Sequence, residues 1–128
     1  MSGAPANFTV WAEIPVSDLD QAIRFYEAVF ATRLNRVDNM GPNPMAVFPT
    51  ENGSGVAGHL YPGKPAADGT GPTVHLLVPD RLEDAVARLE QAGGTVVSPP
   101  IAIPAGRFAY CCDPDGNSIG LFTRTGPA

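Results

Sequence analysis

Few side chains in this chain can do chemistry, and only two of its 128 residues are histidines, His59 and His75. His75 stands in the apolar run Thr73-Val74-His75-Leu76-Leu77-Val78, and Glu13 stands in a similar run, Trp11-Ala12-Glu13-Ile14-Pro15-Val16. Two histidines and one carboxylate make the facial donor set of non-haem iron, and the same donors suit zinc. Without a metal, a strand histidine is a hydrogen-bonded polar lining, and a carboxylate near a domain edge is solvated. A direct Glu13–His75 hydrogen bond would be a third outcome, holding a group that titrates near neutral pH. Trp11 could stack on a flat or cationic ligand or fill the core. Arg107 could hold an anionic group or be a solvated loop residue. The sequence contains no nucleophile–base arrangement, phosphate loop or cysteine zinc motif.

The elements that must position these residues follow from periodicity. Phe8 to Val16 reads as a strand, β-branched and aromatic with partial alternation. Ser17 or Asp18 caps a helix whose stripe is Leu19, Ala22, Ile23, Tyr26, Val29 and Phe30 and which ends near Ala31. Thr32 to Asp38, Pro44 to Phe48 and Gly55 to Tyr61 are strand candidates separated by turn residues. Pro62 to Gly71, rich in proline and glycine, is a linker. The same order then returns: strand Thr73 to Val78, a cap at Asp80, and a helix with the stripe Leu82, Ala85, Val86 and Leu89 closed by Gly93-Gly94. Thr95 to Ser98, Arg107 to Cys112 and Ser118 to Thr123 are strands, with Asp113-Pro114-Asp115-Gly116 as the turn before the last. The first strands superpose at an offset of 75 − 13 = 62, Glu13 on His75, and the helices at 82 − 19 = 63, Leu19 on Leu82. Element order, length and helical stripe all repeat, so the chain reads as an internal duplication: module one about 7–61, linker 62–71, module two 72–124.

Composition limits the function classes. The length fits one domain with a real core. The net charge is −5, with basic residues scattered rather than clustered, which argues against nucleic acid and favours a neutral or cationic small partner. No apolar run approaches the roughly 18 residues of a spanning helix, and no secretory signal is visible, so the cytoplasm is expected. Cys111 and Cys112 are neighbours in one strand, so their side chains point to opposite faces and free thiols are expected.

Two stretches, Glu13-Ile14-Pro15-Val16-Ser17-Asp18-Leu19-Asp20-Gln21-Ala22-Ile23-Arg24-Phe25-Tyr26 and Asp113-Pro114-Asp115-Gly116-Asn117-Ser118-Ile119, are similar to the glyoxalase/bleomycin-resistance/dioxygenase (vicinal oxygen chelate) superfamily. Ala92-Gly93-Gly94 and the duplication extend the resemblance over nearly the whole chain. It implies an α+β fold: two βαβββ modules whose mixed sheet curves into a partly open barrel around a cup, with helices outside. For function it says less, because the superfamily includes isomerases, lyases, dioxygenases, antibiotic-modifying enzymes and drug-sequestering proteins.

In the metal-dependent members each module gives one ligand from its first strand and one from its last. Carried across, these positions are Trp11 and Thr73, then Gly120 in module two and Ala57, Gly58 or His59 in module one. Trp, Thr and Gly offer no useful ligand atoms, so no ion is expected at the usual site. Glu13 and His75 lie two residues beyond the first-strand positions and keep the same face. If Val56, Gly58 and Leu60 face the helix, His59 joins them in the cup. The leading expectation is a metal-independent small-molecule-binding protein using Trp11, Glu13, His59, His75 and Arg107, with no cofactor. Its alternative is a metal-dependent lyase or ring-cleaving dioxygenase with zinc, nickel or iron at Glu13, His59 and His75. The resemblance also implies a homodimer, and the ten-residue linker from Pro62 to Gly71 is long enough to let modules exchange.

Overall fold

The computed structural model describes residues 3–39 and 41–125. Module one runs β1 (Trp11–Val16), α1 (Leu19–Phe30), β2 (Asn35–Val37), β3 (Met45–Val47) and β4 (Ala57–Pro62). Module two runs β5 (Val74–Leu77), α2 (Leu82–Gln91), β6 (Thr95–Val96), β7 (Ile101–Ile103), β8 (Gly106–Cys112) and β9 (Ser118–Arg124). The first sheet has the order β1-β4-β3-β2 and the second β5-β9-β8-β6, with β7 also on β8. In each module the first and last strands pair in parallel and the rest antiparallel. This is the glyoxalase-like α+β architecture of two duplicated modules. The sheets stay open and separate, with no strand of one paired to the other among the described residues.

The helices form where the apolar stripes place them. Asp18 caps α1 by accepting the Gln21 N–H at 3.1 Å, and Ala31 ends it in the left-handed region at φ 51°. Asp80 does not cap α2. Arg81 holds that position without a side-chain cap bond. Asp80 instead accepts both guanidinium N–H groups of Arg88, at 2.7 and 2.9 Å. Arg88 also donates to the Val29 carbonyl of α1 at 3.0 Å, so a bidentate partner outbids the cap and links the helices. The outer strand of module two is broken: Pro99 and Pro100 cannot donate to a ladder, and β6 and β7 pair with β8 on either side of them. The first strand begins at Trp11 rather than Phe8, and Phe8 and Val10 are exposed.

One core serves both modules. Ile14, Val16, Leu19, Phe25, Tyr26, Val29 and Leu60 of module one pack in the same cluster as Leu82, Ala85, Leu89, Cys111, Ile119 and Leu121 of module two, and α1 lies against α2. Each strand therefore turns alternate residues to the helices and the others outward. Cys111 and Cys112 are free thiols; Cys111 is buried, and burial pushes its thiol up to about 11. No helix among the described residues is long and apolar enough to cross a membrane.

The turn before β9 clamps the modules together. The Asp113 carboxylate, 3% exposed, accepts the Tyr26 hydroxyl at 2.7 Å, the Asn117 amide at 2.9 Å, and the backbone N–H groups of Asp115 and Asn117 at 3.0 and 2.9 Å. The second Asn117 amide hydrogen reaches the Pro15 carbonyl at 2.7 Å, while Ser17 donates from its backbone and hydroxyl to Asp115. Gly116, at φ 88°, closes the turn and donates back to the Asp113 carbonyl at 2.9 Å.

Two outcomes follow from this burial. Asp113→Ala strands the Tyr26 hydroxyl and the Asn117 amide in the core and should cost about 3 kcal/mol in urea unfolding, against less than about 0.5 kcal/mol for a change at exposed Glu51. Equal losses would show that the clamp carries nothing. Burial and the nearby Asp113 charge raise the Tyr26 pKa well above its ordinary 10. The unfolded phenol loses its proton at about pH 10 while the folded one keeps it, so Tyr26 favours unfolding progressively as pH rises above that value. Tyr26→Phe should flatten this alkaline fall in stability, measured by unfolding at several pH values between about 9 and 11.

Candidate functional site

The outward faces of the two sheets carry the residues singled out by the sequence. On β1 and β4, Ile14, Val16, Gly58 and Leu60 are buried toward α1, which leaves Trp11, Glu13, His59 and Tyr61 on the other face. The register places Glu13 opposite His59 and Trp11 opposite Ala57. The Trp11 indole N–H donates to His59 Nδ1 at 2.9 Å, and His59 Nε2 lies 3.8 Å from Glu13 Oε1. Tyr61 meets the His59 ring edge-on at 6.0 Å between centroids. Of the three residues expected to face the helix, Gly58 and Leu60 are buried while Val56, just before β4, is exposed; His59 shares a face with Trp11 and Glu13.

The second sheet repeats this geometry with different chemistry. His75 pairs with Gly120 in the same register that pairs Glu13 with His59. His59 is thus the module-one counterpart of Gly120, which resolves the choice among Ala57, Gly58 and His59. His75 lies on the bare backbone of Gly120; a Cβ there would fall 2.1 Å from His75 Nδ1. Around it stand Phe108, Tyr110 and Phe122, with ring centroids 5.0, 5.8 and 6.1 Å away. Leu77 and Tyr110 are exposed beside it.

The two groups do not meet. Among the described residues, no hydrogen bond, ion pair or ring contact joins His75 to Glu13 or His59, and no three His, Cys, Asp or Glu side chains form a metal-holding group. The expected Glu13/His59/His75 set is divided because its members belong to separate sheets. A Glu13–His75 hydrogen bond is likewise not formed; the partner of Glu13 is His59. Trp11, at 42% exposure, is neither core nor fully open. Arg107 lies on the opposite face from His75, because it shares parity with buried Ala109 and Cys111, and it pairs with Glu83 of α2.

The donors do not fit the family's usual metal arrangement. Of Trp11, His59, Thr73 and Gly120, only His59 offers a ligand atom, and the lone pair of its Nδ1 already accepts from Trp11. Thr73 shares a hydrogen bond with Ser118 at 2.5 Å.

Sequence reasoning missed a cleft between the modules of about 980 Å³, lined by Ile14, Phe30, Phe48, Thr50, Leu76 and Val78 among others, with His75 on its wall. The sequence placed Phe30 in a helical stripe and Ile14, Phe48, Leu76 and Val78 in strands. Periodicity could not show that the β5 edge stands away from module one.

Gly120→Ala must displace the His75 ring. Its ring protons, shifted by three aromatic neighbours, should move toward ordinary histidine values in proton NMR; unchanged signals would contradict the contact.

The chain was compared with known proteins. The sequence model of the Glyoxalase/Bleomycin resistance protein/Dioxygenase superfamily matches residues 9–121. No curated protein matches. Among solved structures, the chain is similar to a glyoxalase/bleomycin resistance protein from Albidiferax ferrireducens, at 26% identity and TM-score 0.65, covering 92% of this chain and 99% of that one. It is also similar to a member of the same superfamily from Sphaerobacter thermophilus, at 26% identity and TM-score 0.60, covering 92% and 98%. A glyoxalase-related enzyme from Fulvimarina pelagi, at 20% identity, TM-score 0.62 and coverage of 91% and 87%, shares the fold. The chain belongs to the Glyoxalase/Bleomycin resistance protein/Dioxygenase superfamily.

Proposed function

We propose that this chain binds a small molecule on the outward faces of its sheets, without the metal set of its superfamily. The observation that carries this reading is the Trp11–His59 hydrogen bond, which fills two of the usual ligand positions with an indole donor and its acceptor. Partly exposed aromatic rings on both faces support it: Trp11 and Tyr61 on one, Tyr110 and Phe122 beside His75 on the other. Rings offer apolar area at little entropic cost, and a few polar atoms then set orientation. The acidic net charge favours a neutral or cationic ligand over a polyanion.

A second copy of the chain completes the cup in this reading. β1 and β5 each lie at the edge of a sheet with one side unpaired, and such edges invite a strand from another chain. The linker of residues 62–71 gives module exchange the necessary reach, although Gly69 is tied to the Gly116 carbonyl at 2.7 Å. A homodimer would bring the Trp11 face of one copy and the His75 face of the other to one space.

Two measurements test these readings. Native mass spectrometry of the purified protein should reveal a bound small molecule, or binding should appear when a metabolite library perturbs the single Trp11 indole signal. Absence of both would contradict the function proposed. Light scattering at micromolar concentration should report a dimer; a monomer would defeat the shared cup.

A further inference from the structure

We infer that the Trp11–Glu13–His59 face reads a neutral planar group with a hydrogen-bond acceptor and donor side by side, a primary amide or lactam edge. This inference rests on the small-molecule reading above and names the ligand chemistry that one face selects.

The Trp11 indole N–H can only donate, so the imidazole nitrogen it meets at 2.9 Å must carry a lone pair. That nitrogen is Nδ1, and the proton of the neutral ring is therefore on Nε2. Trp11 thus selects one tautomer. His59 Nε2 lies 3.8 Å from Glu13 Oε1, too far apart to hydrogen-bond. The face is left with a donor and a carboxylate acceptor, neighbours across the β1–β4 ladder. Glu13 makes no hydrogen bond among the described residues, and its side chain is 64% exposed.

A primary amide satisfies both. Its carbonyl oxygen accepts from His59 Nε2–H while its N–H donates to Glu13. The acceptor–donor edge of adenine is read in the same bidentate manner by Asn and Gln side chains. Other ligand groups satisfy only part of the face. An ester leaves Glu13 without a donor, and a simple ammonium leaves Nε2–H without an acceptor. A carboxylate meets the Glu13 charge. The Trp11 and Tyr61 rings each have their centroid 6.0 Å from that of His59 and suit a flat remainder.

The probes are benzamide, methyl benzoate and benzoate, titrated calorimetrically against the wild-type chain, Glu13→Ala and Trp11→Phe. Both positions lie on an outward face, and circular dichroism checks that each variant folds. Benzamide should bind about tenfold more tightly than methyl benzoate, because its N–H meets a charged acceptor. Benzoate should bind most weakly. Glu13→Ala should bring benzamide and methyl benzoate to parity. Long-range nitrogen-15 NMR of neutral His59 should show the Nε2–H tautomer in wild type and a mixture in Trp11→Phe. If methyl benzoate binds as well as benzamide, or His59 carries its proton on Nδ1, the amide reading is overturned while small-molecule binding stands. If no probe binds at millimolar concentration, the amide reading also fails, and the small-molecule reading then rests on the co-purified ligand alone.

Discussion

The Asp113 carboxylate is the contact on which the arrangement of the chain depends. Among the described residues the two sheets share no ladder, so the common apolar core, the α1–α2 packing and this polar cluster orient one module on the other. A buried carboxylate is tolerable because four donors surround it, one from α1 and three from its own turn and Asn117. Asn117 carries the effect outward to the Pro15 carbonyl and Asp115 to Ser17. These atoms lie at the end of β1, the strand that presents Trp11 and Glu13. The turn motif that signals the family is thus also the joint between the modules.

Duplication gave two equivalent faces, and they have diverged. In one, a last-strand histidine meets a first-strand carboxylate and an indole; in the other, a first-strand histidine lies on a glycine among three aromatic rings. The parallel register makes the comparison residue by residue, Glu13–His59 against His75–Gly120. One face is polar and directional, the other flat and apolar. A ligand with a hydrogen-bonding head and an aromatic body is the sort of molecule such a pair would hold.

The element order, the helices and the strand parity of Glu13, His59 and His75 were legible in the sequence, because each rests on local periodicity. An alternating strand declares its faces, and an offset of 62 from Glu13 to His75 declares their equivalence. What depended on long-range geometry was not legible. That Glu13 and His75 point outward from separate sheets is a consequence of how the modules pack, which no single-strand pattern contains. Arg107 began a strand in the sequence, but its face was not assigned; β8 begins at Gly106, and its parity turns Arg107 to the side of Glu83 in α2. Asp80 had the chemistry of a cap, but Arg88 offered it two bonds instead. The prolines between β6 and β7 marked a break; that pairing resumes beyond them depends on β8.

The indole hydrogen bond from Trp11 to His59 occupies two positions to which the family resemblance assigns metal ligands. Titrating zinc into the nitrogen-15-labelled protein tests it directly, through the one Trp indole signal and the His59 ring nitrogens. The Trp11 N–H signal should stay at its hydrogen-bonded position, and His59 should keep its spectrum at stoichiometric zinc. Loss of that indole hydrogen bond together with a coordination shift at His59 would contradict this.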